Sequence, residues 1–498
     1  MLEVTAVAQE EVEAASFIEL GLTDAARAEL AAIEQELRRR RWTVHPALWV
    51  EERLQEFIWS KQREILHSLV VNKKTAVPSC HTAGKSFIAA RAAGWWLDTH
   101  RLGEAFVVTT ATTGAQVKAI LWREIGRVQS RHQLPGRTNQ TEWWMDVPVP
   151  RGTKEELVAF GRKPSDLDPS AFTGIHSKYV LVIADEAAGI PGGSSERPNS
   201  LWEAADSLIS NEFGRMLAIG NPDIPNSEFE KICSPGSGWS VIHISAFDTP
   251  NFTGEEVPKE LRYLLVSPAW VEEKRKRWGE KNPLYIAKVL GQFPQFSKDG
   301  LLPLVWVRAA QLRELPPGEP NELGVDVGAG GDSSVVGHRL GPVVRILSED
   351  HNPDTMQTCG NVVDLRKRTG ATLAKIDTIG IGKGVTDRGI EQGEPFLGIN
   401  VGEAADDPEH FANRRAELYW GLRERFEVGD VDLDPEDDDT AAELLSLRYR
   451  RNSRGQILIE SKEEARRRGV PSPNRAEAVM LACAPPRASN PLEGRLVL

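Results

Sequence analysis

Cysteine is scarce. The four in this 498-residue chain, Cys80, Cys233, Cys359 and Cys483, are too scattered for a disulfide scaffold, and none falls at metal-finger spacing. They are expected to be reduced thiols, with Cys80 open to oxidation inside a loop. No apolar run approaches membrane-spanning length and the N-terminus carries no signal-like pattern, so no membrane and a cytosolic setting are expected. An excess of positive charge is also missing. The net charge of −12 argues against a protein that coats nucleic acid over its whole surface, while leaving a local basic groove open. What is present is a globular balance, 40% hydrophobic and 27% charged residues, in a chain long enough for two or three domains.

One further absence is local. Residues 78 to 87 read PSCHTAGKSF and end as a phosphate-binding loop ends, yet Ser79 stands where such loops open with glycine. The chemistry lies mainly at the other end. Backbone N–H groups around Gly84 would face the phosphates of ATP, Lys85 would reach the outer oxygens, and Ser86 would offer its hydroxyl to Mg²⁺. Ser79, Cys80, His81, Thr82, Ala83, Gly84, Lys85 and Ser86 are therefore the expected nucleotide loop. Thr75-Ala76-Val77 reads as the strand before it. Ser86 to Leu97 reads as an alanine-rich helix whose N-terminus adds partial positive charge. Standing alone, Gly-Lys-Ser would be read as an ordinary turn.

It does not stand alone. Tyr179 to Ala184 (YVLVIA) reads as a strand buried on both faces of a parallel sheet, and it delivers Asp185 and Glu186 at its carboxyl end. Asp185 would hold the water shell of Mg²⁺, and Glu186 would orient and deprotonate the water that attacks the γ-phosphate. Asn221, after the strand-like run Met216 to Ile219, would emerge at the same edge and sense the γ-phosphate, a turn asparagine before Pro222 being the alternative. Gln62, in the amphipathic stretch Leu54 to Leu69, could read the adenine edge, with a plain surface glutamine as the other reading.

Further runs at Ala105 to Thr109 and Trp239 to Ser245, with a helical segment at Gly114 to Val128, complete a βαβ pattern with helices on both faces of a parallel sheet. The expected division is a helical appendage at 1–44, a P-loop domain at 45–265 and a linker region at 266–320. The linker holds a charged helix, Trp270 to Trp278, and a stiff Pro316-to-Pro320 joint. A second domain at 321–485 and a tail at 486–498 follow.

The second domain holds its own constellation. Asp326 lies mid-strand among apolar residues before a Gly328-to-Gly331 turn, strands at Ser334 to Val336 and Val343 to Leu347 complete an antiparallel meander, and the run Leu373 to Ile376 delivers Asp377. Ser472 could cap a helix with Pro473 at its first position, placing Asn474 and Glu477 on one face. Asp326, Asp377 and Glu477, with Asn474 beside them, could hold two Mg²⁺ or Mn²⁺ ions about 4 Å apart for phosphodiester hydrolysis. Hard oxygen ligands favour these ions over zinc. Arg448, Arg450, Arg451, Arg454, Lys462, Arg466, Arg467 and Arg468 form a candidate basic groove. A solvated charged face is the plainer alternative to that groove, and acid is concentrated in Asp434 to Asp439.

The order of SCHTAGKS, TTATTGAQVKAILWREI, VLVIADEAAGIP, LAIGNP, VLGQFPQF, GVDVGAGGDSSV, IDTIGIGKGV and SPNRAEAVMLA resembles the large terminase subunit of tailed double-stranded DNA bacteriophages, over about residues 45 to 485. The resemblance implies an α/β chain in which a P-loop ATPase domain of the additional-strand type, with a mainly parallel sheet, precedes a mixed-sheet ribonuclease H-like nuclease domain. It implies an ATPase and endonuclease that drives double-stranded DNA into a procapsid and cuts it. The expected partners are the portal protein, a small terminase subunit and further copies in a pentameric ring. The expected place is the host cytoplasm, docked transiently on the procapsid and absent from the mature virion. A ring motor also needs an arginine that reaches a neighbour's site; Arg162 is the candidate and Arg137 the substitute. Two departures stand out: Ser79 and His81 occupy positions where the family often has glycine or arginine, and Asn474 and Glu477 stand where it commonly has two aspartates. Asn474 lacks charge, so weaker binding of a second ion is expected. A repair helicase–nuclease and a scaffold with decayed motifs are the competing readings.

Overall fold

The computed structural model describes residues 24–111, 117–162, 177–192, 201–295, 299–328 and 332–485. The expectations for residues 1–23, for the 329–331 part of the glycine-rich turn and for the 486–498 tail lie outside the described residues, as does the start of the Gly114 to Val128 segment. Helix α1 (Asp24–Val44) leads into the first half of the chain. That half is organised by an eight-stranded sheet of order β3-β4-β5-β2-β6-β7-β1-β8. Its strands are β1 (Lys74–Pro78), β2 (Ala105–Thr110), β3 (Arg137–Thr138), β4 (Glu142–Val149), β5 (Gly152–Gly161), β6 (Tyr179–Ala184), β7 (Arg215–Gly220) and β8 (Ser240–Val241). From β5 to β8 the strands run parallel, with β7 inserted between the loop strand β1 and the acid-bearing strand β6. That insertion is the mark of the additional-strand type. The antiparallel strands β3 and β4 extend the far edge, which the βαβ reading did not anticipate.

Two local expectations need correction. The stretch Leu54 to Leu69 is not one helix. A π-helical turn (Trp49–Arg53) ends before it, and α2 (Ser60–Val71) starts where the Gln62 side chain accepts the Trp59 N–H at 3.3 Å, while Leu54, Ile58 and Trp59 turn into the core. The Trp239 to Ser245 run keeps only two ladder residues. As the outer edge beside β1, it continues through single bonds from Ile242 N to Ala76 O and from Ile244 N to Pro78 O.

The second half is built on a five-stranded sheet of order β11-β10-β9-β12-β13, with β9 (Asn321–Asp326), β10 (Ser334–Leu340), β11 (Val343–Asp350), β12 (Leu373–Asp377) and β13 (Phe396–Ile399). β9, β10 and β11 are antiparallel, and β12 and β13 run parallel to β9. Helix α10 (Asn474–Cys483) lies directly on it. A Cβ placed on Gly324 would meet Ala482 N at 2.1 Å and Ala478 O at 2.2 Å, so only glycine lets the helix backbone approach β9 this closely.

The segment between the sheets is largely helical: α4 (Pro268–Trp278), α5 (Pro283–Lys288) and α6 (Leu304–Leu312) pack with α8 (Arg414–Val428) and α9 (Asp438–Ser446). The remaining labels are α3 (Lys85–Thr99) after the loop and α7 (Thr355–Thr369) between β11 and β12. Trp278, Leu284 and Val307 share one continuous buried cluster with Leu217 and Ile219 of the first sheet and with Leu444 of α9. The linker region is thus packed against both halves rather than strung between them.

Candidate nucleotide and metal sites

The loop opens where β1 ends and closes at α3. Gly84 precedes α3 at φ +79° and Thr82 stands at φ +55°, both left-handed, so the chain turns sharply and presents the first-turn N–H groups of Lys85 and Ser86, which lack intrahelical acceptors. The Ser86 hydroxyl donates to Asp185 Oδ2 at 3.2 Å, joining residues 99 positions apart. Lys85 Nζ donates to Cys80 O at 3.0 Å. Asp185 is buried at the end of β6, and burial followed by repulsion from Glu186 pushes its carboxyl up from the ordinary carboxylate range. Glu186 holds φ +50°, an uncommon backbone state for a side chain of this size at the strand's carboxyl edge.

The front of the loop differs from expectation. The backbone N–H groups of Ser79, Cys80 and His81 donate to Gly220 O, Ile244 O and Lys288 O at 3.1, 2.7 and 2.7 Å, so these three residues tie the loop to the protein and leave no main-chain donor for phosphate. The phosphate-facing stretch shortens to the part from Thr82 to Ser86, the half that matches the glycine-lysine-serine pattern. Cys80 is buried and burial pushes its thiol up to about 12, so it is an unreactive packing residue rather than an oxidation point. Asn221 donates to Ser79 O at 2.8 Å, bracing the loop against β7. Gln62 is also beside the loop, but its amide is engaged on both ends, accepting from Trp59 N and donating to Gly84 O at 3.4 Å; it is a brace under Gly84 in this arrangement.

In the second half, Asp326 ends β9, Asp377 ends β12 and Glu477 rises from α10; all three are buried. Burial is the main cause that raises the Asp326 and Asp377 carboxyls, the latter to about 6, with Glu477 adding repulsion at each. For Glu477 burial works in the same direction, but Arg415 and Lys462 outweigh it and hold the carboxyl low. Arg415 Nη2 lies 2.7 Å from Glu477 Oε1, and Lys462 Nζ lies 3.5 Å from Asp326 Oδ2. Among the described residues no group of three or more His, Cys, Asp or Glu side chains is gathered so that it could hold a metal ion. The expected convergence of Asp326, Asp377 and Glu477 on shared ions is therefore not formed in this arrangement: the acids sense one another electrostatically, but Arg415 and Lys462 stand among them. Glu477 Oε2 and Asn474 Oδ1 are buried without a hydrogen-bond partner, and Asn474 Nδ2 donates to Ser333 Oγ at 3.2 Å. These two orphaned buried oxygens are hard donors of the kind a small divalent cation would satisfy, once Lys462 and Arg415 give way. The cap also differs from expectation: Pro473 is the N-cap of α10, and the Ser472 hydroxyl instead pairs with Asp332 Oδ2 at 3.1 Å and Arg466 Nη2 at 2.9 Å.

Arg162 follows β5 at the same carboxyl edge as Asp185, its N–H donating to Thr109 O at 3.1 Å while Asp185 N–H donates to Thr110 O at 2.9 Å. Arg162 is exposed and its guanidinium lies 4.7 Å from the Phe160 ring centre, while Arg137 forms a bidentate pair with Glu155 on the antiparallel edge. Much of the basic stretch is internally paired, Arg448 with Asp299, Arg450 with Glu464, Arg466 with Asp332 and Arg468 with Glu460. The acidic run is paired as well. Asp437 pairs with Arg475, Asp438 with Lys288 and Arg308, and Asp439 with Lys274 and Arg277. Sequence reading also missed Asp223, Lys288, Arg308 and Arg415. Each gains its role from a partner more than 60 positions away, and only Asp223, two residues after Asn221 at a strand's carboxyl edge, carried a local signal.

The class these features define is an additional-strand P-loop fold joined to a ribonuclease H-like fold, the second shown by strand order and direction. No family model matches the chain, and no curated protein matches it. Among solved structures it is similar to the nuclease domain of the large terminase subunit gp2 of bacterial virus Sf6, with 22% identity, 37% of this chain and 99% of that one covered, and a TM-score of 0.34. It is similar to the large terminase of a thermophilic bacteriophage in complex with ADP, with 12% identity, 85% and 98% covered, and a TM-score of 0.38. It is also similar to the large terminase nuclease of the thermophilic phage G20c, at 16% identity, 36% and 96% covered, and a TM-score of 0.28. At these scores the likeness carries no argument, and the reading below rests on the side chains.

Proposed function

We propose that this chain is the motor subunit of a viral DNA-packaging machine, hydrolysing ATP to move double-stranded DNA into a procapsid and cutting the DNA with a metal-dependent nuclease. The observation that carries the reading is the presence, in one packed chain, of the Ser86–Asp185 pair at a P-loop and of buried Asp326, Asp377 and Glu477 on a ribonuclease H-like sheet. The motif order set out above adds the packaging role.

In the nucleotide site, Lys85 would exchange its Cys80 carbonyl for phosphate oxygens, and Ser86 with Asp185 would hold Mg²⁺. Glu186 would take the proton of the attacking water. In the nuclease site, Asp326, Asp377 and Glu477, with Asn474, would hold Mg²⁺ or Mn²⁺, which supplies Lewis-acid stabilisation of the phosphodiester and a more acidic water. Arg415 fixes the Glu477 carboxylate in its ionised form for that task, and Lys462 has to yield Asp326. We assign Arg162 to a neighbouring subunit's site in a ring that is pentameric when docked on the portal, with a small terminase subunit as DNA selector and the host cytoplasm as the place of action. The domain division at the Pro316–Pro320 joint belongs to the same reading.

The test is ATP hydrolysis and Mn²⁺-dependent plasmid cleavage on wild type, Lys85→Ala and Asp326→Ala. Loss of only the matching activity in each variant supports two separate sites. Unwinding of a forked duplex by the wild type would instead identify a helicase–nuclease, and packaging that survives Glu186→Gln would overturn the motor assignment.

A further inference from the structure

Helix α6 stands between the two halves and sends Arg308 toward the nucleotide loop. Its Nη2 lies 2.6 Å from Asp223 Oδ2, and its Nη1 lies 2.7 Å from Gln311 Oε1 and 3.7 Å from Asp438 Oδ1. Its Nε is buried and has no hydrogen-bond partner, nor has Asp438 Oδ1. Asp223 follows Asn221, whose side chain braces Ser79, so the Arg308–Asp223 pair stands beside the P-loop. Lys288 joins the same cluster. Its ammonium pairs with Asp438 and its carbonyl accepts the His81 N–H. Burial first, then the charges of Lys288, Lys85 and Arg308, press the His81 imidazole down to about 4, which marks the meeting of three cations at this loop. Glu186 is among the acids that hold the Arg308 proton, after Asp223 and Asp438.

A desolvated guanidinium with a spare donor beside a phosphate-binding loop and the water-activating carboxylate fits a polyanion better than it fits its present partners. We propose that Arg308 contacts the terminal phosphate of a nucleoside triphosphate bound in its own chain, and that this contact is relayed to the nuclease half through α9. The proposal rests on the nucleotide-site reading given above. The relay is a matter of adjacent residues. Asp438 faces Arg308 and Lys288, whereas Asp437, one residue earlier, pairs with Arg475 Nη1 at 2.8 Å. Further along α9, Glu443 Oε2 accepts the backbone N–H groups of Arg475 and Ala476 at 2.6 and 3.1 Å. Arg475 and Ala476 begin α10, the helix that carries Asn474 and Glu477. When Arg308 turns to phosphate, Asp438 loses a partner, and α9 transmits the change to the start of α10.

The experiment measures binding of a fluorescent ADP and of a fluorescent non-hydrolysable ATP analogue to the full chain. Arg308→Ala should weaken the triphosphate analogue about 10- to 100-fold and leave ADP unchanged, because only the terminal phosphate loses a charged donor. Arg308→Lys should recover part of the difference. Equal loss for both nucleotides, or loss for neither, overturns the contact. Wild type that binds neither nucleotide overturns the nucleotide-site reading itself, a distinct outcome. For the relay, amide hydrogen exchange in α9 and the first turn of α10 should differ between the triphosphate- and ADP-bound wild type, and Asp438→Asn should erase that difference while both nucleotides still bind. A difference that persists in Asp438→Asn, or none in wild type, overturns the relay.

Discussion

The two sites handle charge in opposite ways. At the P-loop a single lysine rests on a neutral carbonyl, Lys85 on Cys80 O, a contact that a phosphate can displace at little cost. In the second half, buried carboxylates are met by full positive charges, Arg415 on Glu477 and Lys462 near Asp326, and a buried pair of that kind is costly to open. Under the proposed function, a nucleotide would displace a neutral contact of Lys85, whereas a metal ion would have to compete with resident cations.

The sharpest way to break that comparison is to remove one group from each site. Lys85→Ala should lower ATP turnover about 10²- to 10³-fold with plasmid cleavage retained, and Asp326→Ala should do the reverse, both read from initial rates. If either variant lost both activities, the sites would not be separable. Arg415→Ala comes next: it leaves Glu477, 1% exposed, as a buried unpaired carboxylate, so a loss of about 3–5 kcal/mol in chemical denaturation is expected, partly restored by added Mn²⁺. No recovery with Mn²⁺ would mean that the ion does not take the place of the guanidinium. Gly324→Ala should cost about 1–3 kcal/mol by driving a Cβ into the α10 backbone, with a lowered Tm, and the nuclease should fail before the ATPase does. The smallest effect is a slope. Burial pushes the Glu443 carboxyl up to about 8 from an ordinary 4.5, so the folded state holds this proton more tightly than the unfolded chain. Its contribution to stability is full below the ordinary value and is lost as pH rises to about 8. Glu443→Gln should therefore flatten the fall of Tm with pH across that window, and an unchanged slope would show that Glu443 is not the group responsible.

What the sequence disclosed follows from range. The apolar runs before Asp185, Asp326 and Asp377 are strands because short buried runs ending in turns have few alternatives, and Gly84-Lys85-Ser86 opens a helix because its pattern is local. The antiparallel β3 and β4 edge was hidden because Trp144 and Pro148 interrupt the alternation of the buried residues Trp143, Met145 and Val147 with polar positions. The pairing of the Asp437–Asp439 run was hidden by distance along the chain. Its partners Lys288, Arg308 and Arg277 lie up to 162 positions away and are brought in by the packing of α4, α5 and α6, while Arg475 comes from α10. The spent N–H groups of Ser79, Cys80 and His81 were equally invisible, since their acceptors come from three separate segments.

The bare contact between α10 and the glycines of its sheet leaves no cushion of side chains at that seam. A shift of α10 would therefore reach β9 and β10 backbone to backbone, at Ala478 and Ala482.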